Sequence, residues 1–349
     1  MRSMLVLAAL MALMPAALTA QQPAASRPLA VPATASWQHA QTSMILPPRS
    51  AGLERGDIRD NTQDERDVFA QYGSASDEAF ATVYVFQTGI PDAALWFDRS
   101  LTAIMVRPVY GLEGAPGPVP VAFARPGASL ASGLRVSFDL TAPELRSTAL
   151  AVAPLGDFML AIRMSSSRLG RAALDEKLSR FIDGLRWPAQ AAHPAAAAAQ
   201  PIAQCPEPLQ LRNARTVRTE MSDSLLSGVL ISAINHSESA NNPPPPIYCR
   251  EPGATIAYGV YRPNASRDSY VIALNDAGIA YSAGQTLDLA ALTGGGSQGR
   301  RYSLTMLVRN ASGVVASFDR LPPPAQAWSA SQRSSPQIMV SRDPPTKPN

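Results

Sequence analysis

A chain of 349 residues is long enough for two domains, each with a core of its own. Its 46% apolar content is that of a folded protein, while 32 prolines and 22 glycines place many connections outside regular structure. Thirty basic residues against 27 acidic ones leave a net charge of only +3, and with no dense basic run the composition argues against a nucleic-acid partner.

The first twenty residues, MRSMLVLAALMALMPAALTA, carry one arginine, an apolar run from Met4 to Met14, and small residues before Gln21-Gln22. They read as an export signal, 1–20, too short in its apolar part to span a bilayer comfortably. No later run is long and apolar enough for a transmembrane helix, so the expected location after cleavage is the periplasm or the cell exterior. Residues 21–35, rich in Ala, Pro and Gln without periodicity, are expected to be a flexible arm.

A first domain is expected over 36–188. Ser43–Leu46 reads as a short strand and Gly52–Arg66 as polar and turn-rich. Strands follow at Asp67–Tyr72 and Phe80–Gln87, dense in β-branched and aromatic residues. Pro91-Asp92 opens a helix, with proline at a first helical position, and Phe97, Leu101, Ile104 and Met105 mark its buried stripe. Further strands are expected at Val119–Ala124, Leu134–Leu140 and Thr148–Ala153. The clearest message is in Gly156–Pro188. Phe158, Leu160, Ile162 and Met164 alternate as one face of a strand, and Leu174, Leu178, Phe181, Ile182 and Leu185 recur at helical spacing. Pro188 then stops the helix at Trp187. Most of the strands have no helical crossover between them, which predicts an α+β fold with a mainly antiparallel sheet and two packed helices.

Residues 189–204, AQAAHPAAAAAQPIAQ, read as an interdomain linker with nothing to pack against, followed over 205–328 by a smaller β-rich domain. Its expected strands are Ser227–Ile234, Ile256–Tyr261, Tyr270–Ala273 and Ile279–Ser282, with a brief helix at Thr286–Leu292 and a hairpin formed by Tyr302–Val308, a turn at Asn310–Gly313, and Val314–Phe318. The tail, 329–349, is expected to be disordered. Cys205 and Cys249, the only two cysteines, are expected to pair, because an exported chain meets an oxidising compartment. Four consecutive prolines, Pro243, Pro244, Pro245 and Pro246, lie just before Cys249 and are expected to form an extended polyproline docking surface held by that disulfide.

No catalytic residue, metal ligand set or cofactor motif is singled out. The three histidines, His39, His193 and His236, have no zinc-type spacing, and S-x-x-K does not occur. Gly294, Gly296 and Gly299 fit G-x-G-x-x-G in form, but Arg300-Arg301 and a strand follow where a dinucleotide site needs a helix. Asp57, Asp60, Asp64, Glu65 and Asp67 supply oxygens of the kind calcium takes, yet Arg55, Arg59 and Arg66 interleave, as in an ion-paired turn. Trp96, Phe97, Tyr84 and Phe86 sit where core packing is the default over a ligand pocket.

The strands after a first helix, ending in a G-D-x-x-L-x-I-R strand (Gly156, Asp157, Leu160, Ile162, Arg163) and an F-I-x-x-L helix (Phe181, Ile182, Leu185), resemble the PsbP-like α/β/α sandwich over Trp37–Pro188. The resemblance implies a non-catalytic accessory or binding module, and it carries over no functional residue. The expectation is therefore an exported bacterial envelope protein that works through another envelope protein. The alternatives are a small-ligand binder and a hydrolase without a recognisable motif.

Overall fold

The computed structural model describes residues 26–74, 79–112, 119–189, 197–218, 245–275, 278–286, 300–336 and 338–341. The first half contains β1 (Arg27–Pro28), β2 (Trp37–Gln38), β3 (Ile45–Leu46), β4 (Arg49–Ser50), β5 (Leu53–Asp60), β6 (Asp67–Gly73), β7 (Ala79–Gln87), α1 (Ala93–Met105), β8 (Val121–Phe123), β9 (Gly133–Asp139), β10 (Ser147–Leu155), β11 (Phe158–Ser166) and α2 (Arg171–Gly184). The second contains β12 (Thr216–Val217), β13 (Tyr248–Arg250), β14 (Tyr258–Pro263), β15 (Tyr270–Leu274), β16 (Ala280–Gln285), β17 (Tyr302–Val308), β18 (Ala311–Phe318), α3 (Pro324–Arg333) and β19 (Val340–Ser341).

Every pairing between these strands is antiparallel, so the class is α+β. The first sheet runs β1-β5-β6-β7-β11-β10-β9-β8, with β4 also on β5. Its face towards α2 is lined by Tyr72, Val83, Leu160, Ile162 and Met164, which meet Leu174, Leu178 and Phe181 of the helix. Phe181 is fully buried edge-on to Tyr72, ring centroids 5.0 Å apart, and burying a side chain of this kind contributes roughly 1.5–3 kcal/mol. Helix α2 begins without a capping side chain of its own; Asp139, at the end of β9, accepts the Arg171 N–H at 2.8 Å. The opposite face, with Leu134, Val136, Leu150, Val152 and Met159, packs on α1.

The second sheet is a meander, β13 through β18 in sequence, with β12 and β19 both on β18. Val260, Tyr270, Ile272 and Leu304 face α3, while Tyr261, Val271, Ala273, Ala280 and Leu307 face α1. The layers are therefore α2, first sheet, α1, second sheet, α3, and α1 belongs to both halves. Ten of its thirteen residues are buried, where the sequence predicts a single stripe. A helix wrapped in protein has no solvated face to show.

Several expectations are corrected. The arm expected to be flexible over 21–35 is, from Arg27, the edge of the first sheet: β1 pairs with β5, and the Leu29 N–H donates to Ile58 O. Gly52–Arg66 contains the eight-residue strand β5. A bulge between Arg55 and Ile58 breaks its alternation, and two inward positions are the polar Arg55 and Asp60, so no period-two pattern shows. Arg55 donates from Nη1 to Leu46 O at 2.8 Å and from Nη2 to Ala35 O at 2.9 Å. Helix α1 starts two residues after Pro91, because the Asp92 carboxylate accepts from Leu95 N and makes Asp92 the cap. Residues 197–204 of the linker have packing partners: Ala199 and Ile202 lie against the core around α1, and the Ala199 N–H donates to Ala131 O. The β17–β18 turn falls at Arg309-Asn310, with Arg309 at φ +42°, ahead of the expected Asn310–Gly313. The tail expected to be disordered continues α3 to Arg333 and returns as β19, so a boundary at 328 cuts the helix. The expected strand Ser227–Ile234 lies outside the described residues, as does the expected helix after Thr286.

Candidate functional site

The densest set of buried charge joins the two sheets. Helix α1 carries consecutive charged residues, Asp98 and Arg99, both buried. Their side chains leave the first half and enter the second. One Asp98 oxygen takes the guanidinium of Arg250 in β13, and the other accepts the Tyr261 hydroxyl at 3.0 Å. Arg99, fully buried, donates from Nε to Asn275 O at 2.8 Å and from Nη2 to Thr255 O at 2.7 Å and Ile256 O at 2.9 Å. Those carbonyls lie just before β14 and just after β15, so one planar guanidinium closes the open end of that strand pair.

Burial pushes the Asp98 carboxyl up from the usual carboxylate range, opposed first by Arg250 and then by the Tyr261 hydrogen bond and Arg99. Burial also pushes the Tyr261 phenol well above its ordinary value, and the Asp98 charge adds to that. Beside these groups the backbones touch. The Gly89 N–H donates to Gly278 O at 2.8 Å, and a Cβ on Gly89 would stand 2.5 Å from Leu307 O. Gly278 holds φ +74°, and a Cβ there would meet Gln87 O at 2.7 Å. This junction is a clamp built to hold two sheets on one helix.

The Cys205–Cys249 disulfide forms as expected, and it lies next to the clamp. Cys249 precedes Arg250, and the Cys205 N–H donates to Arg250 O at 2.9 Å. Behind the disulfide, a cleft of about 370 Å³ is lined by Glu207, Leu209, Leu211, Arg262 and Arg267. Arg262 is buried there, 2.7 Å from Glu251 and 3.3 Å from Cys205 Sγ, while Arg267 pairs with Glu207 at the surface.

Of the expected docking prolines, Pro243 and Pro244 lie outside the described residues; Pro245 and Pro246 are exposed. Ile247 continues them and is 80% exposed, an unusual state for isoleucine. Its backbone is held on both sides by Asn264, whose side chain accepts the Ile247 N–H at 2.9 Å and whose own N–H donates to Ile247 O at 2.7 Å.

His39 is fully buried, between the edges of Trp37 and Phe158. Its Nε2 donates to Glu65 O at 2.6 Å, while Nδ1 accepts from Thr42 N, and burial lowers its pKa below 6.5. The acidic cluster does not converge: Asp60 accepts from Thr62 N and Oγ1 and pairs with Arg27, while Asp64 pairs with Arg66. Among the described residues no group of three or more His, Cys, Asp or Glu is placed to hold a metal ion. Among them, too, no helix is long and apolar enough to cross a membrane. Tyr84, Phe86, Trp96 and Phe97 pack around α1, with Phe86 edge-on to Trp96. The G-x-G-x-x-G stretch, His193 and His236 lie outside the described residues.

Sequence reasoning missed Asp98, Arg99, Arg250 and Tyr261. Their one signal is a charged pair inside ALWFDRSLTAIM, a helix whose Leu95, Trp96 and Phe97 already cover more than one face. The chain matches no family model, no curated protein and no solved structure.

Proposed function

We propose that this chain is an exported protein of the bacterial envelope that acts as a non-enzymatic accessory module, by binding another envelope protein. The observation that carries the reading is the ridge Pro245-Pro246-Ile247. Three consecutive apolar residues stand in solvent on a backbone held by Asn264 and, two residues on, by a disulfide. An apolar segment ordered before it meets a partner loses little entropy on binding, and prolines suit an aromatic-lined groove. The apolar run at 4–14 and the paired cysteines support export.

The test is a photo-crosslinking residue at position 247 in the protein exported by its host, with the same residue at the exposed Glu144 as control. The reading expects one envelope protein captured from 247 and not from 144, and lost when Pro245 and Pro246 are both changed to aspartate. Equal capture from both positions, or none, removes it. A second reading, small-ligand binding, rests on the 370 Å³ cleft beside Arg262 and Arg267. It expects a co-purifying metabolite in native mass spectra of the wild type that is lost from the Leu209→Trp variant.

A further inference from the structure

We propose that the Cys205–Cys249 disulfide is a redox latch on the junction between the two sheets, released by a dithiol. The connection runs through one residue. The Arg250 N–H donates to Ala203 O at 2.9 Å, and Arg250 O accepts the Cys205 N–H at 2.9 Å, so residues 203–205 lie alongside β13 as a parallel strap. The strap covers the outer edge of the second sheet, which would otherwise present unpaired backbone groups. The disulfide joins the strap to the residue immediately before Arg250. The Arg250 side chain then crosses to Asp98 of α1. Sulfur holds strap, strap holds Arg250, and Arg250 holds the helix shared by both halves.

Opening this chain of contacts reaches α1 because of where Asp98 sits. Its side chain is only 7% exposed, and a carboxylate buried to that degree is strongly unfavourable once its cationic partner withdraws. Tyr261 and Arg99 remain beside it, but Arg99 is committed to Asn275, Thr255 and Ile256. Relief comes from water entering between α1 and β14. Both cysteine residues are only partly buried, and attack by a dithiol requires that one sulfur be reached. In the reaction one thiolate of the dithiol attacks a cysteine sulfur, the protein S–S bond breaks, and a mixed disulfide forms. The second thiol then attacks that bond and frees the cysteine. Two electrons pass to the protein, the dithiol leaves as a disulfide, and its two protons end on Cys205 and Cys249.

The test compares hydrogen exchange in the full protein before and after treatment with dithiothreitol under native conditions, with reduction confirmed by two alkylated cysteines in the mass spectrum. Peptides from α1 and from 248–263 are expected to exchange at least tenfold faster after reduction, while β10 and β11 keep their rates. The oxidised Arg250→Gln variant, which needs no reduction, is expected to show the same rise in α1. Unchanged α1 rates after reduction overturn the latch, as does failure of the disulfide to reduce in the folded protein. A uniform rise that includes β10 and β11 also overturns it, since the disulfide would then be a general staple. So does an Arg250→Gln protein whose α1 exchanges like the wild type.

Discussion

Replacing Arg99 by methionine removes a guanidinium while keeping much of the side chain's length and bulk. Three carbonyls, of Asn275, Thr255 and Ile256, lose their donors in a site where Arg99 itself has no solvent exposure. A hydrogen bond to a charged group contributes about 1.5–3 kcal/mol, so three of them set a gross loss of about 4.5–9 kcal/mol. Against this stands the relief of no longer burying a cation. Each buried carbonyl left without a donor costs about 1–3 kcal/mol, and with that relief set against three of them the loss we expect is about 3–5 kcal/mol. In equilibrium terms this lowers the folding constant roughly 100- to 4,000-fold. Urea unfolding followed by far-ultraviolet circular dichroism measures it. Arg99→Lys is the control, because an ammonium keeps the charge but cannot span carbonyls on both sides of the strand pair, and it should recover only part of the loss. A cost below about 1 kcal/mol for Arg99→Met would refute the reasoning, because those carbonyls would then have to be satisfied by water.

Gly89→Ala places a methyl against the Leu307 backbone, which cannot swing aside as a side chain would, and should cost about 1–3 kcal/mol in the same melt. Gly278→Ala adds a left-handed φ to its clash and should cost more. Replacing both cysteines by serine should lower stability by about 4 kcal/mol on the chain-entropy estimate for a 44-residue separation, read from the urea midpoint. His39 gives a pH signature. Its folded pKa lies below the ordinary imidazole value of 6.5, so on acidification the unfolded chain takes the proton first. Its contribution is full above pH 6.5, declines below it, and levels off once pH passes the folded value; urea midpoints between pH 7.5 and 5 should therefore fall more steeply for the wild type than for His39→Gln.

Elements that bury one regular face were legible in the chain. Strand β11 and helix α2 follow from periods of two and of about four: Phe158, Leu160, Ile162 and Met164 face the core that α2 shares, although Met159 and Ala161 bury the other face of the strand as well. The disulfide was legible because only two cysteines exist to pair. Strand β5 was hidden by its bulge and by Arg55 and Asp60, which point inward where Leu46 O accepts from the one and the Thr62 N–H and the Arg27 side chain meet the other. The clamp was hidden for a related reason. Asp98 and Arg99 find their partners 152 to 176 residues away, and the one local sign is the apolar run Leu95, Trp96 and Phe97 just before them. Ile247 illustrates the remaining gap, because exposure of an apolar residue depends on what the rest of the fold leaves uncovered.

None of the thirteen residues of α1 is exposed, and that has a consequence for how such a chain can change over generations. A surface helix offers a solvated side on which substitutions accumulate freely. Here each position answers to one sheet or to both. The same arrangement denies the chain an easy recombination point: a crossover anywhere between residues 106 and 205 would hand the second sheet to a foreign helix lacking the Asp98-Arg99 pair. The two halves must therefore be inherited together, and a related chain should keep α1 more nearly intact than either of the outer helices.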